Sequence, residues 1–491
     1  MTRTPIPDLH SHQWWLLLIG PLAFLAILYG LDLEPGHPEV TRMAAITVWV
    51  AIWWFTEPVN LAVTSFLPFV LMPVLGIASP GDTAAQYMDP IIFLFLGGFI
   101  LAFAMEKWQL HTRLALGILS RTGSAPTRIL VGVMVAAFFL SMWVSNTATV
   151  LMLVPAVLSI IDHLRGDQAS DGRHPVAIAL LLGLAYAATM GGMSTLVGTP
   201  PNMYFYSFYQ RTFPGDASVS FASFFLLAIG ITLLLGLGTY AVIRWRYLRN
   251  HQGTLPKHYF RDAYRQLGRI NRDQRVVILM FILTVLAWFT RPDFALGDRT
   301  IPGWATLTGL GSRVNDGMVV IVACLILFMI PARTEPRRIL EWRDVHRLPF
   351  GIVLLFGSGF ALAMGFSNAG LSDWLAARLA GLQAVHPLVL LLVAGVIITV
   401  ISEFASNIAC VQMVLPVMVA IGAETTFPVK GLMLATTLFA SLGFMMPVAT
   451  APNTIVFGSG FIRTREMIRT GFWINLIGII LISLVVWLSF G

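Results

Sequence analysis

One unusual motif occurs twice in the chain: MWVSNTATVLMLVP (Met142–Pro155) and EFASNIACVQMVLP (Glu403–Pro416) each contain a Ser-Asn pair inside an otherwise apolar run. The second copy follows the first after a shift of 261 residues, from position 142 to position 403. Backbone that turns at membrane depth is tolerated only where it faces protein or a water-filled cavity. The duplicated pair therefore predicts one structural unit that is built twice.

The composition predicts an integral membrane protein. Of the 491 residues, 57% are hydrophobic and 11% are charged, whereas soluble domains are about half apolar and about a quarter charged. At about 20 residues for each crossing, the apolar sequence provides about ten to twelve spans. The net charge of +7 does not indicate nucleic acid as a partner, because the basic residues follow the membrane topology. The first apolar run, 14–31, is too long for the core of a signal peptide.

We expect an all-α polytopic fold with eleven transmembrane helices and two longer apolar segments, 126–161 and 386–422, which contain the Ser-Asn pairs. Either each longer segment crosses the membrane twice, or it enters, turns at the polar pair and leaves on the same side as a re-entrant hairpin. The expected spans lie at about 14–31, 43–56, 60–78, 88–106, 175–190, 220–246, 275–290, 316–331, 347–367, 428–446 and 471–490.

The distribution of Lys and Arg favours the hairpins. With a cytoplasmic N-terminus and both segments re-entrant, 24 of the 31 basic residues lie inside and seven lie outside, as the positive-inside rule requires. Treating either segment as one long crossing would reverse every later segment and remove this bias. We therefore predict a multi-pass protein of the cell inner (plasma) membrane, with its N-terminus cytoplasmic and its C-terminus external.

The two halves of the chain are related beyond the Ser-Asn motif. After one change of length, GTPPN (Gly198–Asn202) aligns with ATAPN (Ala449–Asn453). Each half has an odd number of crossings, so the halves run in opposite directions, as in many secondary transporters. The predicted regions are a first span and loop at 1–42, a first inverted repeat at 43–246, a basic cytoplasmic linker that contacts anionic lipid at 247–274, and a second inverted repeat at 275–491.

The prolines of GTPPN and ATAPN cannot donate helix hydrogen bonds, so we expect them to unwind the chain at 198–202 and 449–453. Together with the two Ser-Asn turns, these four helix breaks predict binding rather than bond-breaking chemistry. Interrupted helices expose carbonyl oxygens, which suit small hard cations, and free N–H groups, which suit anions. No lysine or arginine lies near the turns, so a bound anion must be neutralised by helix dipoles and co-bound cations. A lone Ser-Asn pair would be explained by helix packing alone. No metalloprotease, serine-hydrolase or P-loop motif is present, and we do not expect an enzyme.

From about Trp53 to the C-terminus, the chain resembles the divalent anion:sodium symporters, which carry dicarboxylates, citrate or sulfate. The resemblance rests on WWFTEPVNLAVTSFLP, on SNTA and SNIA, and on MPVATAPNTIVFGSG. It implies a homodimer in which a transport domain moves against a scaffold domain by an elevator mechanism. The amphipathic segments near 108–122 and 370–383 would be the arms that join these domains.

The resemblance also implies the residues of the site and at least two co-transported Na⁺ ions. The first implied sodium site comprises Ser141, Ser145, Asn146 and Gly198, and the second comprises Ser402, Ala405, Asn407 and Ala449. The implied substrate-binding residues are Ser145, Asn146, Thr147, Thr199, Pro200, Ser406, Asn407, Ile408 and Thr450. Ile408 departs from the family pattern, because many members have threonine there, and one hydroxyl donor is lost.

The acidic residue Glu403 lies beside the second implied site, and its counterpart in the first repeat is Met142. Two interpretations remain open: Glu403 is solvated or bonded by nearby hydroxyl groups, or it tunes the second cation site or carries a proton. For the whole protein we expect sodium-coupled symport of a C4 dicarboxylate such as succinate, malate or fumarate. The alternatives are sodium-independent exchange of di- or tricarboxylates and sodium:sulfate symport.

Overall fold

A computed structural model describes residues 14–491 except 166–173, 215, 217–218, 250–258, 297–298, 312, 346–348, 380 and 382–384. The central part of the basic linker expected at 247–274 is therefore outside the described residues. The chain forms two compact units. The first comprises 1–89, 349–385 and 409–432, and the second comprises 90–348, 386–408 and 433–491.

The first unit is helical where it is described. Its helices are α1 (Trp14–Gly30), α2 (Pro38–Thr56), α3 (Leu61–Thr64), α4 (Phe66–Val74), α5 (Pro80–Ala85), a 3₁₀ turn (Gln86–Met88), α18 (Phe350–Asn368), α19 (Leu371–Leu379) and most of α21 (Asn407–Ala423).

Close helix packing and long-range hydrogen bonds hold the first unit together. A Cβ atom at Gly365 of α18 would lie 2.6 Å from Sδ of Met43, so α18 packs closely against α2 at this glycine. The Tyr87 hydroxyl donates to the Ser65 carbonyl at 2.6 Å, where the helical segment α3–α4 is interrupted. The Trp374 indole N–H donates to the Leu33 carbonyl at 2.9 Å, which fastens α19.

The second unit contains both Ser-Asn motifs. Its elements are α6 (Ile91–Lys107), α7 (Leu110–Thr122), α8 (Pro126–Ser141), α9 (Asn146–Arg165), α10 (Pro175–Met193), α11 (Pro200–Thr212), α12 (Phe221–Ile243), a π turn (Arg244–Leu248), α13 (Tyr259–Gln266), α14 (Arg272–Thr290), β1 (Phe294–Leu296), β2 (Arg299–Ile301), α15 (Trp304–Leu307), α16 (Asp316–Met329), α17 (Trp342–Val345), α20 (Pro387–Phe404), most of α22 (Val429–Phe439), α23 (Ala451–Phe457) and α24 (Thr464–Phe490).

Helix α10 is the centre of the second unit. Every residue from Val176 to Met193 is buried, as expected for a helix that is apolar on all sides. Helices α8, α9, α12 and α23 pack around it. The antiparallel pair β1–β2, with Phe294 opposite Ile301, is a short hairpin in the connection after α14.

Both Ser-Asn pairs interrupt helices, as the sequence predicts. Helix α8 ends at Ser141 and α9 begins at Asn146, while α20 ends at Phe404 and α21 begins at Asn407. Helices α8 and α9 pack against each other. The amphipathic segment expected near 108–122 is helical as α7, and the one expected near 370–383 is helical as α19 up to Leu379, while residues 380, 382 and 383 lie outside the described residues.

Within the described residues, eight helical stretches are long and apolar enough to cross a membrane. Six correspond to expected spans, and two, Asn146–Leu164 and Pro387–Phe404, lie within the expected hairpins. Five expected spans contain shorter or more polar helices. The expected span 428–446 differs most, because α22 ends at Phe439 and residues 440–450 are not helical.

Candidate functional site

The first Ser-Asn tip is closed by a bond between its own side chains. Ser141 is fully buried at the end of α8, and its hydroxyl donates to Oδ1 of Asn146 at 2.7 Å. The Ser145 hydroxyl accepts the N–H of Ala148 at 3.3 Å, which caps the first turn of α9. Asn146 and Thr147 are the first two residues of α9, and both are half-buried.

The first helix break lies between α10 and α11, and it is fastened to the first tip. The Thr195 hydroxyl donates to the carbonyl of Met142 at 2.5 Å and accepts the N–H of Gly198 at 3.0 Å. The amide group of Asn202 donates to the carbonyls of Gly192 at 3.2 Å and Thr195 at 2.8 Å. These bonds satisfy carbonyls that the end of α10 leaves without helical partners.

Glycine is required where the break meets the tip. A Cβ atom at Gly192 would lie 2.2 Å from Oδ1 of Asn146, and one at Gly198 would lie 2.5 Å from the carbonyl oxygen of Gly192. Three of the predicted first-site residues, Ser141, Asn146 and Gly198, are therefore brought together around Gly192. Thr199 precedes α11 in an extended conformation as its N-cap, and Pro200 is the first helical residue.

The second tip repeats the first. The Ser402 hydroxyl lies 2.8 Å from Oδ1 of Asn407, and it is also within hydrogen-bonding distance of the Ala440 carbonyl. Ala405 and Ser406 form the non-helical connection, and Ile408 is buried in the first turn of α21. The buried apolar Ile408 side chain offers no hydrogen bond at the position that Thr147 occupies in the first tip.

The second break repeats two of the asparagine hydrogen bonds of the first. The Asn453 amide donates to the carbonyls of Gly443 at 2.9 Å and Met446 at 3.0 Å. These acceptors precede Asn453 by ten and seven residues, the same separations that join Asn202 to Gly192 and Thr195. Thr450 is the N-cap of α23 and accepts the Asn453 N–H at 3.3 Å, while Ala449 is buried beside it.

The breaks begin earlier than the sequence indicated. We expected the prolines within 198–202 and 449–453 to unwind the chain, but Pro200 and Pro452 lie in the first turns of α11 and α23. The non-helical stretches are 194–199 and 440–450 instead. Proline suits a first helical turn, because its missing N–H has no helical acceptor there in any case.

Glu403 is buried from solvent and receives no hydrogen bond from a hydroxyl group of the described residues, and this corrects the first interpretation of its role. Its side chain is buried, and its two oxygens accept the N–H groups of Met445 and Met446, each at 2.8 Å. The amide group of Asn475 on α24 donates to the same carboxylate at 2.6 Å. All three partners are donors, which is the arrangement that suits an ionised carboxylate.

In both halves a hydrogen bond between equivalent positions joins the tip to the break. The side chain comes from the break in the first half and from the tip in the second. Met142 corresponds to Glu403. Thr195 corresponds to Met446, because each lies seven residues before the asparagine of its break. In the first half the Thr195 side chain bonds the Met142 backbone, and in the second the Glu403 side chain bonds the Met446 backbone. Each break is thus fastened to its own tip.

The first tip and the second break are neighbours. Helix α23 packs against both α9 and α10, and the Tyr186 hydroxyl of α10 donates to the Phe444 carbonyl at 2.8 Å. Among the described residues, no hydrogen bond joins the first predicted set, Ser141–Thr147 with Gly198–Pro200, directly to the second set, Ser402–Ile408 with Ala449 and Thr450.

The site offers oxygen atoms as ligands and, among the described residues, no positively charged side chain bonded to them. Within the described part of the chain, no lysine or arginine side chain bonds the predicted site residues, and no three His, Cys, Asp or Glu side chains cluster as metal ligands. The buried oxygens Oδ1 of Asn202 and Oδ1 of Asn453 have no hydrogen-bond partner among the described residues. Such amide oxygens suit Na⁺. Sequence reasoning missed both, although each ends a quoted break motif.

Comparison with known proteins defines the family. Residues 11–490 match the family described as the sodium:sulfate symporter transmembrane region. The chain belongs to this sodium:sulfate symporter family. The match therefore extends over nearly the whole chain, and it includes both Ser-Asn tips and both breaks of this family member.

The family member is also similar to named relatives. The sodium-dependent dicarboxylate transporter SdcS of Staphylococcus saprophyticus is 38% identical over 479 residues, which cover 96% of this chain and 90% of the relative. The protein of the same name from Staphylococcus aureus is 38% identical over 480 residues, with the same shares covered.

Two solved structures share the fold of this symporter-family chain. The YdaH transporter of Alcanivorax borkumensis has a TM-score of 0.54 at 14% identity, covering 91% of this chain and 98% of that one. MtrF of Neisseria gonorrhoeae has a TM-score of 0.56 at 15% identity, covering 96% and 97%. At these identities the likeness concerns the fold alone.

Proposed function

We propose that the protein is a secondary transporter that couples the movement of Na⁺ to that of a C4 dicarboxylate of the succinate, malate or fumarate class. The observation that carries this proposal is the duplicated pair of tip and break. Each pair combines a Ser–Asn bond, interrupted helix ends and one unpartnered asparagine oxygen, in Asn202 or Asn453. The names of the relatives supply the substrate class.

We assign Na⁺ to oxygen atoms and the substrate carboxylates to N–H and hydroxyl donors. In this assignment the ions are held by Ser141, Ser145, Asn146 and Gly198 in the first half and by Ser402, Ala405, Asn407 and Ala449 in the second. The carboxylates meet the N-terminal ends of the interrupted helices, with donors from Ser145, Asn146, Thr147, Thr199, Ser406, Asn407 and Thr450. Pro200, which has no N–H, contributes only shape at the start of α11. Ile408 contributes shape and no hydrogen bond.

The cations and the dianion support each other in this scheme. With no fixed basic group at either tip, the dicarboxylate brings negative charge that only helix dipoles and bound cations can balance. Two or more Na⁺ ions therefore prepare the site for the substrate, and the substrate in turn retains the ions. This mutual dependence is what couples the two fluxes.

The larger-scale features of the proposal follow from the resemblance and from the basic residues. We include in it the two inverted repeats, an elevator motion of a transport domain against a scaffold, a homodimer in contact with membrane lipid, and a cytoplasmic N-terminus with an external C-terminus. Single cysteines introduced near the two termini, after the native Cys324 and Cys410 are replaced by serine, would test the orientation. Only the external cysteine should react with an impermeant reagent in intact cells.

Transport in proteoliposomes tests the function. Labelled succinate uptake should be driven by an inward Na⁺ gradient, should be absent with K⁺ in its place, and should be competed by malate and fumarate more strongly than by sulfate. Uptake that ignores Na⁺ but requires internal dicarboxylate would establish exchange instead. Uptake of sulfate in preference to succinate would move the assignment to sulfate symport.

A further inference from the structure

A cavity of about 350 Å³ lies in the second unit beside the first tip, and the transport proposal does not use it. It is bounded by α7, by the end of α8, by α14 and by the segment that joins α13 to α14. Its volume is at the lower end of the range of about 300–1,000 Å³ for ligand pockets. The residues that define its character are Arg113, Arg121, Phe139, Trp143, Phe281 and Ile282.

Arg113 places a buried positive charge in the wall of this cavity. Arg113 is only 8% exposed. Its two terminal guanidinium nitrogens donate to the carbonyls of Leu267 and Gly268, each at 2.8 Å. Its Nε atom has no partner among the described residues, and no described carboxylate pairs with it. A buried charge without a counter-ion is unfavourable, so the site favours an anion.

Two further donors line the same cavity. Arg121 is exposed at the end of α7, and its one described bond goes to the Gly117 carbonyl at 2.7 Å, so its charge is also unpaired within the described residues. The indole Nε1 of Trp143 is buried and has no hydrogen-bond partner among them. The Trp143 ring meets the ring of Phe281 edge-on, with centroids 5.2 Å apart.

Apart from Tyr264, the rest of the lining is apolar, and this decides the class of ligand. A small inorganic anion would satisfy the arginines and leave Phe139, Phe281 and Ile282 without a partner. A neutral alkyl chain would cover those side chains and leave the buried charge of Arg113 uncompensated. Only a ligand with an acidic head and an apolar tail satisfies both parts of the wall.

We propose that this cavity is a binding site for an anionic phospholipid. The phosphate lies against Arg113 and Arg121, and one acyl chain packs on Phe139, Phe281 and Ile282. Basic pockets between membrane helices are suited to acidic lipid headgroups. Because Trp143 lies two residues before Ser145, a lipid here also contacts the segment that forms the first tip.

Thermal unfolding of the purified, delipidated full chain in detergent tests the site. Phosphatidylglycerol should raise the melting temperature in a saturable manner, since a ligand that binds only the folded state stabilises it. Phosphatidylcholine with the same acyl chains should raise it less, and glycerol 3-phosphate should not raise it at all. Equal effects of the two lipids would overturn the proposal, and saturation by glycerol 3-phosphate would replace the lipid with a free phosphate.

Variants locate the effect. Arg121→Gln should increase the phosphatidylglycerol concentration for half-maximal stabilisation about fivefold, whereas Arg128→Gln, an exposed arginine outside the cavity, should not change it. Gly117→Leu should abolish the lipid effect, because Gly117 lines the cavity and the leucine side chain would occupy it. The fold should accept this change, since a Cβ atom there would be in ordinary contact with Tyr264 at 3.5 Å. If Arg121→Gln behaved like Arg128→Gln, or if Gly117→Leu kept the full lipid response, the site would be excluded. This experiment does not depend on which substrate is transported.

Discussion

Replacing Glu403 with glutamine tests the anchor that holds the second break against its tip. The carboxylate accepts two backbone N–H groups and one amide N–H, all within a buried environment. Glutamine keeps one acceptor oxygen but directs an NH₂ group at a donor, so at least one buried N–H loses its partner. The remaining bonds also lose the negative charge that strengthens them.

The size of this effect follows from the bonds. A buried donor left unsatisfied costs about 1–3 kcal/mol, and a bond to a charged group contributes about 1.5–3 kcal/mol. We therefore expect Glu403→Gln to destabilise the segment 440–450 by about 2–4 kcal/mol. If about 1.4 kcal/mol of this destabilisation is transmitted to the proposed second Na⁺ site, Na⁺ binding there weakens tenfold.

The assay is the Na⁺ concentration for half-maximal succinate uptake in proteoliposomes, together with thermal unfolding. Glu403→Gln should raise this Na⁺ concentration about tenfold or more and should lower the melting temperature. Asn475→Ala, which removes one of the three donors, should shift both in the same direction by less. Glu335→Gln is the matched control, because Glu335 is exposed in a loop. A Glu403→Gln protein with wild-type sodium dependence and wild-type stability would refute the anchoring role.

Two other perturbations test the packing of the site and the ion pair at α17. Gly198→Ala should abolish uptake, because its Cβ atom would lie 2.5 Å from the carbonyl oxygen of Gly192. The control Gly230→Ala should transport normally, because no atom lies within 4 Å of a Cβ atom there. Normal uptake by Gly198→Ala would show that the close approach of Gly198 to Gly192 is dispensable. Asp344 bonds Lys107 at 2.8 Å and accepts the Glu341 N–H at 2.9 Å. Burial opposes ionisation, but these partners outweigh it and lower the pKa of Asp344. The resulting stability is present above the unfolded pKa of about 3.9 and is lost as pH falls through the lower folded pKa. Asp344→Asn should therefore lower the free energy of unfolding by about 1–2 kcal/mol near pH 7 and by less in acid. Unfolding measured at both pH values tests this, and an equal loss of stability at both would argue against the ion pair.

The helix breaks at the Ser-Asn pairs could be predicted from local sequence. A polar pair inside an apolar run is expensive unless the chain turns there, and this holds whatever surrounds it. The same reasoning placed the breaks near 194–199 and 440–450 too late in the chain, because it treated Pro200 and Pro452 as residues that unwind a helix. In the structure they begin helices, and the unwound residues precede them.

The cross-links between breaks and tips could not be predicted in this way. The bonds from Glu403 to residues 445 and 446 join positions more than 40 residues apart, and their partners are backbone groups that every residue type carries. Neither periodicity nor composition reports where a backbone N–H points. The exchange between Thr195 and Glu403 becomes visible only when the two Ser-Asn tips and their breaks are compared in three dimensions.

The measurement that tests the central account most directly is the mutual dependence of Na⁺ and succinate binding in the purified protein. By calorimetry, succinate affinity should rise steeply with Na⁺, and Na⁺ affinity should rise by the same factor with succinate. Ser141→Ala and Ser402→Ala should each weaken this dependence, because each removes the hydroxyl that orients an asparagine oxygen at one tip. Succinate binding that is equally tight without Na⁺, or that is indifferent to both serine substitutions, would contradict the account.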